Sequence, residues 1–346
     1  MKTSYKQIYV LCPYGLVTGG SDALHQLVYY INKVYKDKAI LVYCDRNERK
    51  LPIPSSYQEY ISRYALLEDI QDEEDTILIA PETLYFHLND YQHVKKYIWW
   101  LSIDKNSNQT KANKIKDIIK KLCSIKTWKK IFSGYYSKEK IKDYQHNTPY
   151  DFNDESKDVI HLCASHYAFE TIQKQTQNEV HLLIEPISLF YLKAGQYQTR
   201  EKRKKQVLYN PVKSGAYVKL LSKKAKDISF VPLAGYSQEQ LLDLYRHSLL
   251  YVDFGPFPGA ERMPKEACYN GCLIITGRNG AANYYEDVLL PDQDKFEVTK
   301  ANINIVLNRI KSMLADPDKF YEEEQPYLER IASLETSFIK SIEELF

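Results

Sequence analysis

No apolar run in this sequence approaches the roughly 20 residues that a membrane-spanning helix needs. The opening stretch MKTSYKQIYVLCPYG has no long apolar signal segment and reads as a first strand. These absences predict a cytoplasmic protein. The six cysteines (Cys12, Cys44, Cys123, Cys163, Cys268, Cys272) are scattered, mostly inside apolar runs, and CYNGC lacks a second metal-ligand pair. They read as reduced core thiols rather than a disulfide or zinc framework. Net charge is only +2, which gives no global nucleic-acid footprint. There is no His-Glu-x-x-His, no G-x-G-x-x-G, no Walker loop, no G-x-S-x-G elbow and no fixed-period repeat. The Asp-x-Asp pair Asp292 and Asp294 falls in a late loop, so metal catalysis fits poorly and no cofactor is expected.

What is present is a series of short apolar runs. QIYVLCP, AILVYC, TILIAP, YIWWLS, DVIHLCAS and VHLLIEP alternate with helical or turn-rich stretches. Buried strands alternating with amphipathic helices imply parallel βαβ units. Around residues 187–206 the alternation lapses, and a second series follows: strands QVLYNP, ISFVPLA, LLYVDFG and CLIITG with helices between them. At 346 residues the chain is long enough for two domains. The expected architecture is α/β, two doubly wound Rossmann-like domains facing a central cleft. The first spans 1–190, a linker 191–206, the second 207–325, and a helix over 326–346 is expected to pack back on the first.

Two polar punctuations fall where such sheets bind ligands, at the carboxyl ends of strands. After the first strand, Gly19 and Gly20 form a loop ahead of a helix capped by Ser21 or Asp22. This is either a tight turn or a binding loop. After LLYVDFG the chain runs PFPGAERMPKEACYNG. A helix starting near Met263 or Pro264 places Arg262, Lys265 and Glu266 at its first turn. Cations at a helix N-terminus suit a diphosphate, and a carboxylate suits the hydroxyls of a ribose. The plainer reading is a solvated first turn. Acceptor-side candidates for a base are Asp22, His25, Asp104 and His166, each also readable as a cap, a helix-face histidine or a turn residue. The stretch Lys111–Lys130 reads as a basic amphipathic helix, either packed on the sheet or touching an anionic membrane.

The segment PGAERMPKEACYNGCLIITGRNGAANYYEDV resembles the donor-binding region of GT-B glycosyltransferases with an E-x7-E signature. It is more similar still to a branch from bacterial surface-polysaccharide clusters. YIWWLSIDKN and GLVTGGSDALHQL extend the resemblance into the first half. The resemblance implies that Glu266, the second glutamate, binds the donor ribose, and that Gly259 lets backbone approach the donor. It implies that Lys213 in YNPVKSG contacts the diphosphate, with Arg262 and Lys265 as further cations, and that Tyr236 in VPLAGYS lines the base pocket. The first glutamate falls at position 258, where this chain has Pro258; Glu261 is the nearest carboxylate in the loop. The implied activity is metal-independent transfer of a hexosyl or related sugar from a nucleotide-sugar donor to a growing surface glycan, such as capsule, O-antigen or lipopolysaccharide. The acceptor is a glycan or a lipid-linked glycan, so the enzyme is expected in the cytoplasm or peripherally at the inner membrane face. The rivals are a non-catalytic GT-B-like nucleotide-sugar-binding or scaffold protein, and an epimerase or phosphorylase on the same architecture.

Overall fold

The computed structural model describes residues 5–44, 52–103, 150–153, 158–197 and 199–346. Asp104, the Lys111–Lys130 stretch and Cys123 lie outside the described residues.

The apolar runs are strands of two sheets. One holds β1 (Gln7–Pro13), β2 (Ala39–Cys44), β3 (Thr76–Pro81), β4 (Lys95–Trp100), β5 (Val159–Cys163) and β6 (Val180–Leu182). The other holds β7 (Lys204–Tyr209), β8 (Ser229–Pro232), β9 (Ser248–Asp253), β10 (Leu273–Gly277) and β11 (Lys295–Phe296). All pairings within them are parallel. A parallel sheet is covered on both faces, so its strands read as unbroken apolar runs. TILIAP and SLLYVD are buried at every position for this reason.

The helices among the described residues are α1 (Gly19–Tyr35), α2 (His166–Gln173), α3 (Leu189–Ala194), α4 (Pro211–Lys224), α5 (Gln238–His247), α6 (Arg262–Tyr269), α7 (Ile303–Ala315), α8 (Asp318–Glu323) and α9 (Gln325–Leu345). None is long and apolar enough to cross a membrane. The strand orders are β2-β1-β3-β4-β5-β6 and, read in the same sense, β8-β7-β9-β10-β11. In each sheet the second strand lies on one side of the first and the later strands on the other. Both sheets are therefore doubly wound with the same topology, and each has a switch point beside its first strand: β1/β3 in one, β7/β9 in the other. A crevice opens at such a point because the two flanking loops leave in opposite directions.

Helix α9 belongs to both halves. Tyr327 and Ile331 are buried with Ile274 and Cys268 around the second sheet. Further along, Phe338 stacks on Trp99 and meets Tyr30 edge-on, with ring centroids 6.1 and 5.7 Å apart. Ile342 and Phe346 complete the first core.

Some details differ from the sequence reading. The stretch 191–206 is not a free linker. Helix α3 covers its start, β7 begins at Lys204, and Arg203 between them is buried. Its guanidinium donates to the carbonyls of Thr199, Tyr245, Ser248 and Asn270, which fastens this stretch to the second domain. Helix α6 begins at Arg262, with Glu261 as N-cap, so Glu266 sits one turn in and no acidic residue lies in the first turn.

Candidate active site

The two switch points face each other, and the candidate residues lie on their loops. Asn210 follows β7 and caps α4, its side-chain oxygen accepting from the backbone N–H groups of Val212 and Lys213. This cap fixes Lys213 in the first turn of α4. Across the crevice, β9 ends in Asp253, whose carboxylate is buried. It accepts from Ser214 Oγ and Gly255 N at 3.0 Å and from Tyr251 OH at 3.1 Å. Ser214 Oγ in turn accepts from Phe254 N at 2.8 Å. Asp253 thereby ties the start of α4 to the loop after β9. Gly255 allows the contact, since a Cβ there would lie 2.4 Å from Lys213 Cβ.

The loop from Gly255 to Glu261 carries Pro258 and Gly259 against the end of β4. Ile103 N donates to Pro258 O at 2.9 Å. A Cβ on Gly259 would lie 2.0 Å from Leu101 O, so only glycine fits there. Glu261 then forms an ion pair with Lys213. Burial pushes the Glu261 carboxyl above its ordinary range, and Lys213 opposes the shift.

One turn into α6 the charges join the two domains. Arg262 Nη1 lies 2.9 Å from Asp22 Oδ2, and its Nη2 donates to Glu266 Oε1 at 3.0 Å. Asp22 Oδ2 also accepts from Gln26 Nε2 at 2.7 Å and Tyr60 OH at 3.4 Å. Glu266 is 6 % exposed; burial raises its pKa and Arg262 counters that. Gly19 lies against this pair, where an added Cβ would meet Arg262 Cδ at 3.3 Å, and Gly20 faces Leu101.

Other candidates point elsewhere. Lys265 does not face Lys213. It is 4 % exposed, and its Nζ donates to the Glu185 carbonyl at 3.3 Å, with the Glu185 carboxylate 4.0 Å away. Burial lowers its pKa and Glu185 raises it. Lys265 is thus turned toward the domain junction. His166 opens α2, where its backbone N–H and that of Tyr167 donate to Asp287 at 2.7 and 2.9 Å, so a carboxylate of the second domain holds a helix end of the first. Tyr236 is exposed in the loop after β8, just before the α5 cap Ser237. Asp294 is clamped by Arg309 at 2.6 and 2.9 Å, and Asp292 pairs with Arg278 at 3.2 Å.

His25 is fully buried, not presented to the cleft. Its Nδ1–H donates to Ser21 O at 2.6 Å, and Tyr43 OH donates to Nε2 at 2.7 Å. Burial pushes its pKa down to about 4 from an ordinary 6.5. A pKa depressed in the folded state contributes stability that is complete above about pH 6.5 and lost as pH falls through about 4. Between pH 7.5 and pH 5 that loss is about 2 kcal/mol. His25→Asn should therefore narrow its stability gap to wild type by about that amount over this interval. Urea unfolding at the two pH values checks it; an unchanged gap would mean that the folded protein protonates His25 at the same pH as the unfolded chain.

Three carboxylates are absent from the sequence-based candidates: Asp253 inside the second domain, and Glu185 and Asp287 at the junction. Asp253 and Glu185 share one signal, a lone carboxylate at the end of an otherwise apolar run (LLYVD, VHLLIE).

Facing parallel sheets with their switch points across one crevice define the two-domain GT-B fold, and this chain has it. No family model matches the sequence, and no curated protein does. Solved structures do. Anabaena HepE bound to UDP-glucose is 12 % identical, with a TM-score of 0.58 over 98 % of each chain. WaaG, a glycosyltransferase involved in lipopolysaccharide biosynthesis, is 12 % identical with a TM-score of 0.55, over 97 % of this chain and 99 % of that one. TarM is 14 % identical with a TM-score of 0.52, over 80 % of this chain; the match spans only 55 % of TarM's own length.

Proposed function

We propose that this chain is a glycosyltransferase that moves a hexosyl or related sugar from a nucleotide-sugar donor to a bacterial surface glycan. The observation that carries the reading is the second domain's switch point, where Lys213 pairs with Glu261 ahead of α6 and Arg262 pairs with Glu266 within it. Arg262 pins Glu266 Oε1, and no side chain among the described residues bonds its Oε2. That oxygen is free to accept from ribose hydroxyls. Lys213, in the first turn of α4, is placed to neutralise a diphosphate as it leaves. Catalysis then needs no metal ion. Glu261, held beside Lys213, is the carboxylate for the donor sugar where Pro258 has none.

The acceptor enters from the first domain, along the loops after β1 and β4. Asp22 Oδ2 is taken by three donors, which favours the departing diphosphate, or Asp104, as acceptor of the hydroxyl proton. Proton NMR of the product decides between them: a retained anomeric configuration points to the diphosphate on the same face, an inverted one to the carboxylate. WaaG, through its part in lipopolysaccharide biosynthesis, supports a surface glycan as acceptor, and HepE supports a UDP-sugar as donor. Contact of Lys111–Lys130 with anionic lipid belongs to the same reading. Pro258 favours one rival, a nucleotide-sugar-binding protein without turnover; release of free nucleotide on mixing donor and acceptor excludes it.

Glu266→Gln should weaken nucleotide binding by roughly 1.5–3 kcal/mol, the scale of a hydrogen bond to a charged group. Calorimetric titration with UDP, GDP, ADP and CMP sugars measures it. Unchanged affinity in a folded variant would remove the ribose assignment.

A further inference from the structure

We propose that Asp22 is a positioning residue for the donor site: acting through Arg262 across the domain junction, it holds Glu266 in the orientation that receives the ribose. This rests on the reading of Glu266 given above. The Arg262 guanidinium is occupied at both ends. Nη1 goes to Asp22 of the first domain and Nη2 to Glu266 of its own helix. Its side chain is 15 % exposed, and Nε is buried without a partner among the described residues. Such a guanidinium has little left to offer a ligand, and a fork with two prongs fixed keeps its plane.

An alternative is that Asp22 merely holds the place of a phosphate on Arg262 and swings away when the donor arrives. The surroundings of Asp22 argue against it. Gln26 Nε2, which also lies 3.5 Å from Ile187 O, donates to the same oxygen, and so does Tyr60 OH, itself held by Leu189 N at 3.0 Å. Asp22 is therefore fixed to its own domain by two donors besides Arg262. Moving it would take one of two carboxylate partners from the buried Arg262 and leave the Gln26 and Tyr60 donors without their acceptor, which is unfavourable. A carboxylate braced this way is a preorganised acceptor. The consequence is that ribose binding in one domain depends on a carboxylate of the other, so the nucleotide is held best when the domains are docked.

A double-mutant cycle tests the relay, with Asp22→Asn, Glu266→Gln and both together titrated with UDP or whichever nucleoside diphosphate binds wild type best. Asp22→Asn should weaken nucleotide binding about five- to thirtyfold, raise the donor KM and leave the acceptor KM unchanged. The double variant should bind no more weakly than Glu266→Gln alone, because Asp22 acts only through Glu266. Arg262→Gln cuts the same link from the other side and should show the same non-additivity, which covers failure of Asp22→Asn to fold. Tighter binding by Asp22→Asn would overturn the proposal in favour of a phosphate place-holder. Losses that multiply in the double variant would overturn it too. If Glu266→Gln weakens binding and Asp22→Asn does not, the relay alone falls; if Glu266→Gln has no effect, the ribose reading falls with it.

Discussion

Lys213→Ala should lower transfer about a hundred- to a thousandfold while both sheets stay folded. The estimate follows from removing one preorganised charge aimed at where negative charge develops, here the leaving diphosphate. Burial already raises the Glu261 carboxyl, and Lys213 is the main group opposing that rise. Without Lys213 the carboxyl should shift further up, so the variant loses the cation and its Glu261 needs a higher pH than in wild type to stay ionised. Raising the pH should then recover part of the activity as Glu261 ionises again. Steady-state rates from pH 6 to 9, with circular dichroism to confirm folding, check both statements. A folded variant with more than a tenth of wild-type turnover would show that Lys213 does not face the diphosphate.

Gly259→Ala is expected to be nearly as damaging, although it adds one methyl group. The new Cβ would stand 2.0 Å from Leu101 O, and both sides of that clash are backbone. The loop must retreat, and the Ile103 N to Pro258 O bond of 2.9 Å beside it is lost. Displacement of about 1 Å at a reacting centre costs about a hundredfold, so transfer should fall by at least about that factor. Gly215→Ala is the control. Nothing lies within 4 Å of a Cβ there, the residue is inside α4, and alanine should be neutral or stabilise by about 0.5–1 kcal/mol. If the two variants turn over alike, the donor loop does not depend on its fit to β4.

The sheets were legible because strands covered on both faces must be apolar throughout, and TILIAP or SLLYVD can hardly be anything else. The αβ alternation then implied parallel, doubly wound halves. The region of the candidate site stands out by its punctuation: charges and glycines between two core strands need a surface to face. The direction of each side chain was not. Arg262, Lys265 and Glu266 lie three and four positions apart on one helix face, yet Arg262 turns to Asp22 and Lys265 to Glu185. That choice is made by partners 80 or more positions away, and no local pattern encodes it. His25 reads as an exposed base only if the aromatic residues over it are ignored. Tyr57, which stacks on it at 3.8 Å, comes from a separate part of the chain. Asp253 and Glu185 were hidden by their apolar context, since a carboxylate ending a buried strand resembles an ordinary exit to solvent.

Helix α9 adds a mechanical constraint. Its 21 residues span about 32 Å as one rod. The rod is embedded at one end beside Tyr327 and at the other beside Phe338. Pulling the halves straight apart would extract one end from its socket and expose aromatic surface to water. Turning one half about the rod would likewise unseat one set, since Tyr327 and Ile331 fill one core and Phe338 and Ile342 the other from fixed positions on the same helix. The helix therefore acts as a splint: the two halves cannot shift against each other without bending it or re-seating one of its ends.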